Sequence, residues 1–321
     1  METKKYKLTA ETIIVNDKYL YRIESLKDFG NIKKGDKGGF VENEDNLSQY
    51  DDCWIYDNAK VYGKAKVYGK AKIYGKAKVY DHAKVCANAE VCANAKICNH
   101  ALVTDNAKVY ANAVVRDNAE VRGNTDIYDN AEVCGDTKVY DNARVRGNAK
   151  VRDKAKVYND AIIYGHAKVY GVAEVRGNAV VYGNAEVYNW AKVDGYTRVN
   201  DNAKVFGDAK VYGNVEVFGN AEVCGDAIIT SDKDYIVFNN WWSSGRYFTW
   251  TRSNDMWKVG CFYGTGEQLI EKAYKDSELS GREYKRVVDY VNSILKDNKH
   301  NTTRKNIKER LLSKIRKLFG K

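Results

Sequence analysis

The chain contains no proline, although ordinary usage near 5% would place about 16 in its 321 residues. It also lacks any apolar run near the roughly 18 residues needed for a membrane helix, and its start, METKKYKLTAETIIV, has no continuous apolar segment of the signal-peptide kind. A soluble, cytoplasmic protein is therefore expected. Seven cysteines form an odd set with no secretion signal beside them, so reduced thiols are the default. The net charge of +10 is unevenly placed. Residues 1 to 54 carry −2, 55 to 234 carry +3, 235 to 298 carry +1, and 299 to 321 carry +8, so most of the basicity belongs to the C-terminal tail.

What the sequence does have is a rhythm. From Ile55 to Ile229 every sixth residue is Val or Ile, thirty positions without a break. Two residues before each, from Val61 onward, stands Ala in 25 of 29 cases, the exceptions being Thr125, Thr137, Thr197 and Val215. Ala and Val two apart with Lys or Glu between them describe a short β-strand that turns the small and branched residues inward and the charge outward. A pair such as Gly-Asn or Asp-Asn then bends the chain, because these residues tolerate the positive φ of a tight corner. Six residues cannot bury such a strand alone, so the repeats must stack.

This pattern resembles the bacterial-transferase hexapeptide family, and the flanking segments resemble its phage and prophage members. The segments concerned are YKLTAETIIV…GNIKKGDKGGFVENEDNLSQYDDCWIYDNA and CFYGTGEQLIEKA. The resemblance implies a mainly β fold, a left-handed parallel β-helix of about ten triangular coils with three hexapeptides per coil. At a strand spacing of about 4.8 Å the prism would be about 48 Å long. The expected organisation is an N-terminal cap over 1–54, the prism over 55–230, a small aromatic-rich α+β unit over 231–276 and a helical tail over 277–321. The cap should cover strand edges that would otherwise template aggregation. In the third segment Trp241, Trp242, Trp250 and Trp257 accompany Gly245 and Gly260 as turn candidates. Thr265 with Gln268 forms a capping-box pattern before a helix near 266–276. Ser280 with Glu283 forms another, before a helix whose apolar face is Val287, Val288, Val291, Ile294 and Leu295.

Acyltransferases of the resembled family use a His general base near an extruded loop, with acyl-coenzyme A bound between prisms. Thirty unbroken repeats leave no place for such a loop. His82, His100 and His166 each occupy the turn slot usually held by Asn, where substitution in a solvated turn is the simpler account. His82 and His100, 18 residues apart, should stack in adjacent coils and are the catalytic residues of the alternative reading. No metal or cofactor is expected. Cys86, Cys92 and Cys98 fall on different faces, Cys98 and Cys134 lie two coils apart, and Gly264-Thr265-Gly266 is too short for a dinucleotide fingerprint.

One face carries Tyr56, Tyr74, Tyr110, Tyr128, Tyr164 and Tyr182 at 18-residue spacing, with Phe218 below them. Such a stripe suits an oligomer interface or a plain cross-strand ladder equally. Lys60 to Lys84 holds eight Lys and one acid. That is the composition of a nucleic-acid platform, but the charges wrap all three faces, which favours a solvated collar. In the tail, Arg304, Lys305, Lys308, Arg310, Lys314, Arg316 and Lys317 surround an apolar helical face. It suits an acidic protein, nucleic acid, an anionic membrane surface, or its own domain. The leading expectation is a non-catalytic binding scaffold that assembles as a homotrimer and whose tail engages an acidic or nucleic-acid-containing partner. A hexapeptide-family acyltransferase is the alternative. An ice-binding prism is disfavoured, since no face carries regular Thr rows.

Overall fold

The structure is a computed structural model and describes residues 4–241 and 244–297. The described residues divide into two compact units, 4–235 with 251–254, and 236–241 and 244–250 with 255–297.

The first unit is a parallel β-solenoid of about 11 turns. Two-residue strands from Trp54–Ile55 to Ile228–Ile229 fall in rotation into three parallel sheets, so residues 18 apart are direct neighbours, as in Val91↔Val109 and Ile97↔Val115. Every Val and Ile of the repeat is fully buried, and so is nearly every Ala two residues before it. Lys, Glu or Arg between them faces out, which is why each strand pattern reads outward then buried. The ladder bonds run from each coil to the next: Lys60 N donates to Ala77 O at 2.9 Å, Tyr62 N to Val79 O at 3.0 Å, and Asn88 N to Asp105 O at 2.8 Å. Backbone polar groups that lie close to the apolar interior are thereby satisfied at each rung.

At every corner from Asp57 to Gly225 the second residue after the inward Val or Ile has positive φ. Gly supplies most of these positions and Asp or Asn many of the rest, as expected from their tolerance of the left-handed region. Asp has a second use: its carboxylate accepts the N–H of the corner one coil on, as in Gly75 N to Asp57 Oδ2 at 2.9 Å and Gly147 N to Asp129 Oδ2 at 3.0 Å. Ala87, Ala93 and Ala111 hold φ of 55°, 57° and 58° with neither advantage. Replacing all three with Gly is expected to stabilise the solenoid by roughly 1–2 kcal/mol, since relief of strain exceeds the added freedom of the unfolded chain. A lowered urea midpoint in the triple variant would contradict this.

The N-terminal strands are β1 (Tyr6–Val15), β2 (Lys18–Ser25) and β3 (Lys37–Val41). They form an antiparallel meander whose last strand pairs parallel with Lys60–Val61. Val41 stands over Val61 and Leu47 over Val67, one rung each on two different faces, so the solenoid begins two strand positions before the sequence repeat shows it. A Cβ on Gly39 would lie 2.5 Å from Ala59 O, and the close approach of β3 to the first coil requires glycine there. Trp54, at a position facing outward in the later repeats, is 1% exposed because Tyr6 and Phe29 cover it edge-on, at ring separations of 6.3 and 5.4 Å.

All but the end residues Tyr235 and Thr251 of a four-stranded sheet belong to the second unit; its strands, in chain order, are Tyr235–Asn240, Arg246–Thr251, Met256–Val259 and Phe262–Gly264. Helix α1 (Gly266–Asp276) follows, with the Thr265–Gln268 capping box in place, and then a helix over 278–297. Its start differs from the sequence reading: Ser277 Oγ accepts from Ser280 N at 3.0 Å, so Ser280 is already inside the helix and Ser277 caps it. Trp250, Trp257, Phe248, Leu269, Val288 and Val291 belong to its core. Trp242 lies outside the described residues.

Candidate functional site

The tyrosine face follows the strands of the sheet that begins at Trp54–Ile55. Tyr56 meets Tyr74 edge-on at 6.4 Å, and Tyr110 stacks on Tyr128 at 4.9 Å and Tyr164 on Tyr182 at 5.0 Å. The Arg146 guanidinium lies over Tyr164 at 4.7 Å, Asn200 donates to the Tyr182 hydroxyl, and the Tyr74 hydroxyl donates to Glu90 at 3.2 Å. Burial, followed by the neighbouring Cys92 and Glu90, raises the Tyr74 phenol well above its ordinary range. All six tyrosines are half-buried by one another and by their neighbours. The stacking is not special to that face, for Tyr170, Tyr188 and Phe206 stack at 4.8 Å steps on a second face and Tyr140 and Tyr158 on the third. Aromatic stacking thus shields the strand ladder on every side, while Phe218, at the end of the tyrosine column, stays 55% exposed.

The residues two positions beyond the tyrosine slot form corner ladders. Asn88, Asn106, Asn124 and Asn142 pass amide hydrogen bonds along one corner at 3.0 to 3.1 Å, ending on Asp160. Asn94, Asn112, Asn130 and Asn148 do the same on another. His82 and His100 occupy equivalent positions on the third corner, both exposed, with rings stacked at 4.7 Å and 10°. Their backbone N–H groups make the ordinary inter-coil bonds to Asn99 O and Asp117 O. The pair therefore replaces an amide rung with a ring stack that stays exposed to solvent. His166 borders an open hollow of about 430 Å³ with Lys168, Asn184, Glu186, Asn202 and Lys204. Burial opposes the charge of Glu186, but hydrogen bonds from Lys168 and Tyr170 outweigh it and hold the carboxyl below its usual range. Lys168 and Glu186 thereby pair with one another at 2.9 Å.

Cys86, Cys92 and Cys98 follow strands of three different sheets, and Cys98 and Cys134 follow strands two rungs apart in one sheet. Among the described residues no group of three or more His, Cys, Asp or Glu is placed to hold a metal ion. No helix among them is long and apolar enough to cross a membrane, which says nothing of β-barrels.

Two features of the outer surface escaped the sequence reading. The first is a division of charge along the solenoid: residues 55–108, nine repeats, hold ten Lys and four acids, whereas 109–234 hold sixteen basic and nineteen acidic residues. From Arg116 to Glu222 ion pairs recur on all faces, among them Arg116–Glu132, Lys168–Glu186 and Arg176–Asp194. The second is a gathering of exposed apolar side chains on the last four coils: Val172, Trp190, Tyr196, Tyr212, Phe218 and Ile228. Trp190 stacks one coil beyond Val172 on a single corner and is 60% exposed, and Tyr196 at the next corner is 67% exposed. A count of non-Gly/Asn/Asp residues in the corner slots would have found Val172, Trp190 and Tyr196. Arg304, Lys305, Lys308, Arg310, Lys314, Arg316 and Lys317 lie outside the described residues.

No family model and no curated protein matches this chain.

Proposed function

We propose that the chain is a non-catalytic, phage-type binding scaffold that engages a host protein or protein–nucleic acid complex and thereby inhibits it. In this reading the solenoid is the left-handed hexapeptide prism of ten repeat coils, the protein works in the cytoplasm of the host cell, and three copies associate. The observation that carries the reading is the unbroken inter-coil ladder. Its corners are filled with amide and ring stacks and no loop is inserted between the repeats, so one chain by itself offers a substrate only open hollows, while a macromolecule has long rigid faces to rest on. The exposed Trp190 and Tyr196 are of the residue types that concentrate binding energy at protein interfaces. The +8 tail adds long-range attraction to an acidic partner.

Acetyl-coenzyme A is expected to show no saturable heat of binding, and the His82→Ala/His100→Ala variant to keep its affinity for the partner captured from host cells. A saturable signal that this variant abolishes would instead establish the acyltransferase reading. Deleting residues 303–321 is expected to lower partner affinity and flatten its salt dependence while leaving the thermal transition of the solenoid nearly unchanged. If the truncated chain instead loses its oligomeric state in sedimentation at low concentration, the tail is an assembly helix.

A further inference from the structure

We propose that the first three coils carry a binding site for the phosphate backbone of double-stranded nucleic acid, centred on the column Lys60, Lys78 and Lys96. These three are consecutive rungs of one sheet, Lys60↔Lys78 and Lys78↔Lys96, at the strand spacing of about 4.8 Å. Lys76 lies at one bordering corner, and Lys64 with the His82–His100 stack at the other. Like charges directly opposite one another destabilise a sheet, so a column of three needs a reason or a counter-charge.

Among the described residues no counter-charge pairs with the column. None of the ten Lys between 55 and 108 makes an ion pair among the described residues, in contrast with the coils that follow. All four acids of the segment are committed elsewhere. Asp57, Asp81 and Asp105 accept backbone N–H groups of the next coil, and Glu90 accepts from Tyr74. Burial, with the Lys78 and Lys76 charges adding to it, pushes the Lys60 ammonium below its ordinary range. The spacing is well inside the screening length of about 8 Å at physiological salt, so the fields of the column add and an external polyanion would relieve the repulsion.

The chemistry of the patch selects the partner. The segment contains no Arg, so it offers point charges rather than the bidentate forks that read bases, and contact should be independent of sequence. Tyr62 is buried and Tyr80 packs with it against Leu20 and Phe40 of the cap, so stacking platforms for unpaired bases are closed. Tyr68 is the one large hydrophobic residue of 55–108 that is exposed, which provides neither the apolar centre of a protein interface nor an element to insert into a membrane. A duplex backbone, with one negative charge per about 1.7 Å of axis, requires none of these.

This inference deepens the scaffold reading but can fail separately from it, because partner capture and duplex binding are measured independently. The test uses the full chain, basic tail included, and a labelled random-sequence DNA duplex followed by anisotropy across a salt series. Lys60→Gln/Lys78→Gln/Lys96→Gln is expected to weaken binding at least about tenfold and to lower the slope of log affinity against log salt by about two to three, near 0.9 per lost contact. The charge-matched control Lys138→Gln/Lys150→Gln/Lys168→Gln, which removes ion-paired lysines, should stay within about twofold, and the Lys-to-Arg version of the column should retain binding. Thermal melting without DNA should show the column variant no less stable than the parent, since it removes repulsion. Equal losses in the column variant and the control would overturn the site. A column variant that binds duplex normally but no longer sediments with phosphatidylserine vesicles would overturn the nucleic-acid assignment in favour of a membrane surface.

Discussion

Val145→Asp is expected to abolish cooperative melting of the solenoid's middle coils. Val145 is fully buried and stands in register between Ile127 and Ile163, so its side chain has only apolar neighbours above and below in its column. A lone carboxylate there cannot reach water without breaking the inter-coil bonds, including Tyr128 N to Val145 O at 3.0 Å. The cost is several kcal/mol, a large part of the stability of an ordinary domain. Because each coil is stabilised by its two neighbours, the damage should spread to adjacent coils rather than stay at one rung. Far-ultraviolet circular dichroism during heating reads this directly. A variant that melts within a few degrees of the parent would mean that position 145 is not inside.

Trp54→Ala should be almost as costly, with a different symptom. It removes the ring that Tyr6 and Phe29 enclose, and large-to-small changes at buried aromatics cost about 3–5 kcal/mol. The meander of β1 to β3 is held nearby by polar contacts: Lys5 Nζ donates to Asp51 O at 2.6 Å and Cys53 O at 3.0 Å, and the Tyr6 hydroxyl to Leu47 O at 2.8 Å. With the ring gone these bonds must hold the cap without the packing that orients them. Loosening the cap frees the first rungs of three parallel sheets, a template for edge-to-edge pairing. The expected result is light scattering that rises with concentration before the main melt, rather than a simple downward shift. A variant that melts early but stays monodisperse would show that the cap does not guard the edge.

The interior was legible in the sequence because its cause is local. A strand needs only the i, i+2 alternation of Ala and Val, and a corner needs only a residue that tolerates positive φ, so thirty repeats state the inward register thirty times. The helix at Gly266–Asp276 was readable for the same reason, since its capping box lies within four residues. Where a local signal was ambiguous the reading slipped: both Ser277 and Ser280 can cap, and only the bond between them shows that Ser277 does. The early rungs at Val41 and Leu47 were hidden by the eight-residue step from Leu47 to Ile55, which breaks the count of six.

The outer surface was decided by the wrap of the chain. Whether Lys168 is neutralised depends on Glu186, eighteen residues on, and whether Lys78 stands in a bare column depends on Lys60 and Lys96 at the same remove. Trp54 has the same place in its repeat as the Lys of later coils, yet it is buried because Phe29 and Tyr6 lie over it. The sequence by itself determined what faces inward, since that follows from bonds and sterics within six residues. Only the tertiary structure decided which outward charges are matched and which are left for a partner, because electrostatic and stacking energies depend on distance in space and the coil brings together residues the chain keeps eighteen apart.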